Sequence, residues 1–108
     1  MEEPRQQRLA ENEALARDVN ERVGEVAAKW YAEGEPLEFV CECSREDCRE
    51  RIHLRMAEYR DVRTSPVWFA VVPDHITPEI ERAVKPVADA LVVEKIGVGR
   101  EIAEETAG

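Results

Sequence analysis

An α+β fold is predicted for this 108-residue chain by a change of hydrophobic period and by one cluster of cysteines. From residue 4 to 33 the apolar positions recur in steps of three and four, the helical period; from residue 37 they recur in steps of two, broken by polar turns. Where the period changes, "FVCECSREDC" gathers all three cysteines of the chain. The expected architecture is an N-terminal amphipathic helix within residues 1–36. A small zinc-binding α+β domain follows over 37–108, an antiparallel sheet with one or two short helices.

The helix comes first. Leu9, Asn12, Ala16, Val19, Val23, Val26 and Trp30 form a narrow seam of the coiled-coil kind. Gly34 supplies a left-handed cap and Pro36 forbids continuation. Thirty residues make roughly 45 Å of helix, whereas the rest of the chain should be only about 30 Å across. Part of the helix should therefore overhang, either fraying at its first turns or meeting a partner, such as a second copy of itself. Trp30 and Tyr31 are expected to anchor the helix on the sheet.

The strands follow. "LEFVCEC" places Leu37, Phe39, Cys41 and Cys43 on one face, with Glu38, Val40 and Glu42 on the other. After the turn "SRED", "CRERIHLR" alternates again: Cys48, Glu50, Ile52 and Leu54 face one way, Arg49, Arg51, His53 and Arg55 the other. Two short strands about a polar turn read as a hairpin. "MAEYRDVRTSP" reads as a short helix with Met56, Tyr59 and Val62 inward, and "VWFAVV" as a buried strand. "TPEIERAV" has Thr77 at an N-cap position and Pro78 at the first helical position, so a brief helix is expected there. "DALVVEKI" reads as an interior strand, and "REIAEETAG" as a last helical turn or a loose end.

Composition narrows the function. The net charge of −9 argues against binding to nucleic acid or to an anionic membrane. The opening residues hold no apolar leader, and the longest apolar run, Val67 to Pro73, is too short to span a bilayer. A cytoplasmic protein is expected. In a reducing compartment, three cysteines argue for metal or redox chemistry over a disulfide framework.

Zinc takes about four thiolate or imidazole ligands arranged tetrahedrally. Cys41 and Cys43, two apart on one strand face, can both reach one ion, and Cys48 returns to it beyond the turn. Strand parity points His53 away from the thiols, while His75 follows a buried strand whose exit can turn it back. The candidate zinc site is thus Cys41, Cys43, Cys48 and His75, with Asp47 and Asp74 as reserve ligands. The competing reading is that the thiols are small buried hydrophobes, since free cysteine is among the most buried residue types.

The stretches "FVCECSREDC", "EYRDVRTSPVWFAVVPDH" and "VVEK", with "DVNERV" ahead of them, resemble a family of small uncharacterised actinobacterial proteins. Its sequences read F-x-C-E-C, a nearby third cysteine, E-Y-x-x-V-R, a phenylalanine strand ending in P-G-H, and V-V-E-K. The likeness covers most of the chain. It departs at Asp74, where glycine usually precedes the histidine in the turn that presents His75. The resemblance implies that the cysteines and the histidine belong together, and implies no activity.

Arg49, Arg51 and Arg55, with His53 among them, form a basic row on an acidic protein. It is either a partner-binding face or a set of cross-strand pairs with Glu38 and Glu42, helped by Glu58 and Asp61. Trp68 and Phe69 point to opposite faces of their strand. No metalloprotease, deaminase or phosphate-loop motif is present, and the glycines of "GVG" at 97–99 are too few to count as one. The chemistry points to a non-enzymatic zinc-stabilised interaction or regulatory module, which meets a protein partner or itself through the N-terminal helix. The alternative is a thiol-based redox or metal sensor that releases zinc on oxidation.

Overall fold

The structure, a computed structural model, describes residues 2–30, 34–45 and 47–107, with backbone alone at 2, 3 and 30. The expected anchor Trp30 by its side chain, and Tyr31 entirely, lie outside the described residues. Helix α1, Glu2–Trp30, runs along the molecule's long axis, whose extent is 47 Å against 26 and 24 Å for the others. Strands β1 (Leu37–Val40) and β2 (Arg51–Leu54) form the expected antiparallel hairpin, with Phe39 opposite Ile52 and Glu38 opposite His53. Helix α2 (Met56–Val62) buries Met56, Tyr59 and Val62, as their spacing predicts.

Three further strands make a second antiparallel sheet: β3 (Trp68–Val71), β4 (Glu81–Val87) and β5 (Ala90–Lys95), in the order β3-β5-β4. The central place of β5 matches its uninterrupted apolar run. Helix α3, Gly97–Thr106, closes the chain and packs on α1. One expectation fails here. Residues 77–84 do not form a helix. Ile80 N–H donates to Thr77 C=O at 3.0 Å, closing a turn around Pro78, and β4 begins at Glu81. Thr, Pro and acids suit such a turn as well as a helix start. The ladder to β5 and the burial of Glu81 against Lys95 decide for the strand.

The "GVG" glycines are structural. Gly97 enters α3 at φ 55°, in the left-handed region. A Cβ on Gly99 would lie 2.8 Å from the Ile80 carbonyl oxygen, so only glycine lets α3 approach the start of β4 this closely.

The covered face of α1 is not the apolar seam. It consists of Ala10, Glu13, Ala14, Arg17, Asn20, Gly24 and Ala27, small or polar residues in helical register. Each large polar member reaches far along the chain. Glu13 meets Lys95, which also meets Glu81, and all three are buried. Arg17 donates to the carbonyls of Pro66 and Ala103 at 2.6 and 3.1 Å and to Thr106 Oγ1 at 2.9 Å. Phe69 is buried beneath this layer, with Arg17 Cζ and Lys95 Nζ each 4.6 Å from its ring centroid. The buried stretch reaches Ala27 at one end; before Ala10, Arg5 pairs with Glu79 at 3.0 Å. In contrast, Leu15, Val19 and Val26 are 62, 45 and 57 % exposed.

Candidate metal centre

β1 ends at Val40 because the chain then changes sheets. Cys41 N–H still donates to Glu50 C=O at 3.1 Å, extending the hairpin by one rung, but Glu42 N–H donates to Ala70 C=O of β3 at 2.9 Å. This crossing sets Cys41 and Cys43 against β3, beside Phe69 and Val71. Cys48 lies beyond the turn, its N–H donating to Arg45 C=O at 3.3 Å. His75 ends a 3-10 turn, Pro73–His75, that leaves β3 and folds the imidazole back over the sheet edge.

The four predicted donors converge. Cys41 Sγ, Cys43 Sγ, Cys48 Sγ and a ring nitrogen of His75 all lie within 4.8 Å of one another, a group that can hold a metal ion. Cys41, Cys43 and His75 are buried and Cys48 is half-buried. His75 Nδ1 is 3.6 Å from both Cys41 Sγ and Cys48 Sγ. On the far side of the ring, Nε2 has Glu50 Oε2 at 2.8 Å, with the Arg45 guanidinium at 3.4 Å. A metal ion on Nδ1 would put the ring proton on Nε2, the nitrogen that faces Glu50. Val72 N–H donates to Cys41 Sγ at 3.2 Å, a bond that favours sulfur as thiolate.

The thiols share charge unequally. The hydrogen bond from Cys41 draws Cys43 down to about 5, while that same bond and burial push Cys41 up. Burial also raises Cys48.

Glu42, between the first two cysteines, is expected on the face opposite them as a cross-strand partner of the arginine row, and is instead buried and paired with Arg63. Its carboxylate accepts from Arg63 Nη2 and Asn20 Nδ2, both at 2.8 Å, and from Ala70 N–H at 2.9 Å. Asn20 also takes both backbone groups of Val40, accepting its N–H and donating to its C=O at 2.8 Å each. Asn12 Nδ2 donates to Ser44 C=O at 3.0 Å, and Ser44 Oγ meets Thr77 Oγ1 at 2.8 Å. The ligand loop is therefore bolted to α1 on one side and to the His75 turn on the other.

The remaining candidates lie elsewhere. His53 points away from the thiols, as strand parity requires, and pairs with Asp89 at 2.9 Å. Asp47 and Asp74 are exposed and outside the four-donor group. In the basic row, Arg51 lies 3.7 Å from Glu38 and donates to Arg49 C=O, and Arg55 Nε donates to Gly34 C=O at 2.8 Å. Glu58 accepts from Arg55 N–H and Asp61 pairs with Lys85. Phe69 is core, whereas Trp68 is half-buried with Lys85 Nζ 5.1 Å from its ring centroid. Among the described residues no helix is long and apolar enough to cross a membrane. Alternation puts Glu50 on the Cys48 face, and an acid on that face is the one signal in the sequence for its place beside His75. No protein-family model, curated protein or solved structure matches this chain, so the site speaks through its own geometry.

Proposed function

We propose that this protein is a non-enzymatic, zinc-stabilised interaction or regulatory module. Cys41, Cys43, Cys48 and His75 would hold one zinc ion, and α1 would offer its exposed seam to a protein partner. One observation carries the metal reading. A tetrahedral ion with Zn–S near 2.3 Å and Zn–N near 2.0 Å sets sulfur and nitrogen ligands roughly 3.6 Å apart. The two thiol–imidazole distances at His75 Nδ1 are 3.6 Å. Buried small hydrophobes have no need of an imidazole lone pair aimed between them, or of a carboxylate behind that imidazole.

Three thiolates and an imidazole fill all four positions, leaving none for a water to attack a substrate, which supports a structural ion over a catalytic one. Its binding energy would act as folding energy for a small domain. The test is metal content per chain on purified wild type, His75→Ala, Cys48→Ser and His53→Ala. The reading expects one zinc per chain in wild type and His53→Ala, with weakened retention in the other two. A folded wild type with three titratable thiols and no affinity for added zinc would sink it.

A second reading rests on Cys48, the one half-exposed ligand. As a redox sensor, the site would give two thiolates to hydrogen peroxide, form a disulfide with reduction of the peroxide to water, and release zinc. Prompt zinc release by mild peroxide, reversed by a thiol reductant, favours this reading; indifference to peroxide favours the structural ion.

A further inference from the structure

The described residues leave five large hydrophobics exposed, and three of them, Leu15, Val19 and Val26, lie on one side of α1. We infer that this face is the interface of a homodimer in which two copies of α1 pack antiparallel, with Leu15 of each level with Val26 of the other. The inference deepens the proposed interaction role by naming the partner, and it does not depend on the metal.

The direction of packing follows from where the charges fall. At 100° per residue, Leu15, Val26 and Val19 occupy one stripe of the exposed face. Beside it, on the flank away from Val23 and Ala16, lie the exposed residues Glu11, Asp18, Arg22 and Lys29. A two-fold axis relating antiparallel helices brings that flank of one copy against the same flank of the other. With Leu15 level with Val26 of the second copy, Arg22 comes within one residue's rise of Asp18 across the axis. Lys29 comes equally near Glu11. Symmetry makes each pairing twice, so four opposite-charge contacts flank the apolar stripe. The Arg22 stem, level with Val19 of the second copy, covers it while its head reaches Asp18.

A parallel pair lacks this match. In register, its heptad seam would set Arg8, Arg22 and Lys29 each against its own copy, three like-charge contacts along one line. The body of each protomer lies behind α1, on the Glu13–Arg17–Asn20 side, so the two bodies stay apart. The polar side chains that hold α1 down and the apolar ones that face outward thus have separate tasks on one helix.

The test is the sedimentation behaviour of the full chain over a wide concentration range, with zinc content measured on every sample. Wild type is expected to be a dimer that dissociates on dilution. Leu15→Glu with Val26→Glu should be monomeric at all concentrations, with unchanged helix content and unchanged zinc. Arg22→Asp should weaken dimerisation at least about tenfold, by placing acids opposite Asp18. Asp18→Arg combined with Arg22→Asp should restore it. A wild type that stays monomeric throughout overturns the inference. So does a dimer that the Leu15 and Val26 substitutions leave intact, or one that the charge exchange fails to rescue. Loss of zinc with the dimer retained would count against the metal reading alone.

Discussion

Glu50 Oε2 sits 2.8 Å from His75 Nε2, on the side of the ring opposite the three thiols. A ligating imidazole depends on such a partner. With a metal ion on Nδ1 the ring proton would sit on Nε2, and a carboxylate there would accept it, fix the ring plane and make Nδ1 more basic. Glu50→Ala should therefore lower zinc affinity by about 10–100-fold with the chain still folded. Competition against a chromophoric chelator measures it. An unchanged affinity would show that Glu50 has no part in holding the ring.

Zinc should also set the stability of the whole chain, because the ligand loop is tied both to α1 through Asn12 and Asn20 and to the His75 turn through Ser44 and Thr77. An ion bound only by the folded state adds about 4 kcal/mol at a thousandfold excess over its Kd. Chelation should lower the urea midpoint by the corresponding amount, and fresh zinc should return it. Cys48→Ser should abolish most of that difference, whereas His53→Ala, which loses only its contacts with Asp89 and Glu38, should keep it. Equal midpoints with and without chelator would leave the ion no part in folding.

Legibility in the sequence followed how local the determining contacts are. The hairpin, α2, β3 and β5 were readable because their period is set within a few residues. The four donors of the candidate metal centre were readable because thiols and imidazole are rare and parity separated His75 from His53. The covered face of α1 was hidden: Glu13, Arg17 and Asn20 look like solvent residues. Their partners lie at Lys95, at Pro66, Ala103 and Thr106, and at Val40 and Glu42. No window along the chain brings those positions together. Glu42 misled for a related reason. Alternation put it with Glu38 on the outer face, but the strand crosses from β2 to β3 at that residue and turns it inward. Residues 77–84 went wrong because turn and helix-start chemistry coincide, and the choice is made by β5.

The crossing residue should be costly to change. Glu42 is buried and holds Arg63, Asn20 and the Ala70 amide together. Glu42→Gln keeps the shape but leaves the Arg63 guanidinium, itself largely buried, without a counter-charge. Removing one member of a buried pair costs about 3–5 kcal/mol, and the loss should fall near the lower end because glutamine can still accept from Ala70. Denaturant unfolding checks the stability, and zinc affinity on the same variant should drop too, since Cys41 and Cys43 flank the residue. A loss within about 0.5 kcal/mol, the range of ordinary surface substitutions, would contradict this account.

Glu13 gives the pH prediction. Its carboxyl is held well above the usual glutamate range, first by burial, with Lys95 pulling the other way. An acid whose folded pKa is raised binds its proton more tightly in the folded state than in the unfolded chain. The folded state therefore carries more protons between the unfolded value and the raised one. Through that window stability contributed by this group rises as pH falls. Glu13→Gln removes the titration and leaves Lys95 paired with Glu81 alone, one cation with one anion. The variant should be as stable as wild type or more so near pH 8. The comparison should shift in favour of wild type as the pH is lowered to about 5, approaching the unfolded glutamate value. Urea midpoints of both proteins at each pH measure this, and taking their difference cancels the zinc contribution that they share. A variant several kcal/mol less stable at pH 8, with a difference that does not move with pH, would mean that Glu13 is a settled ion-pair partner of Lys95 and not a strained buried acid.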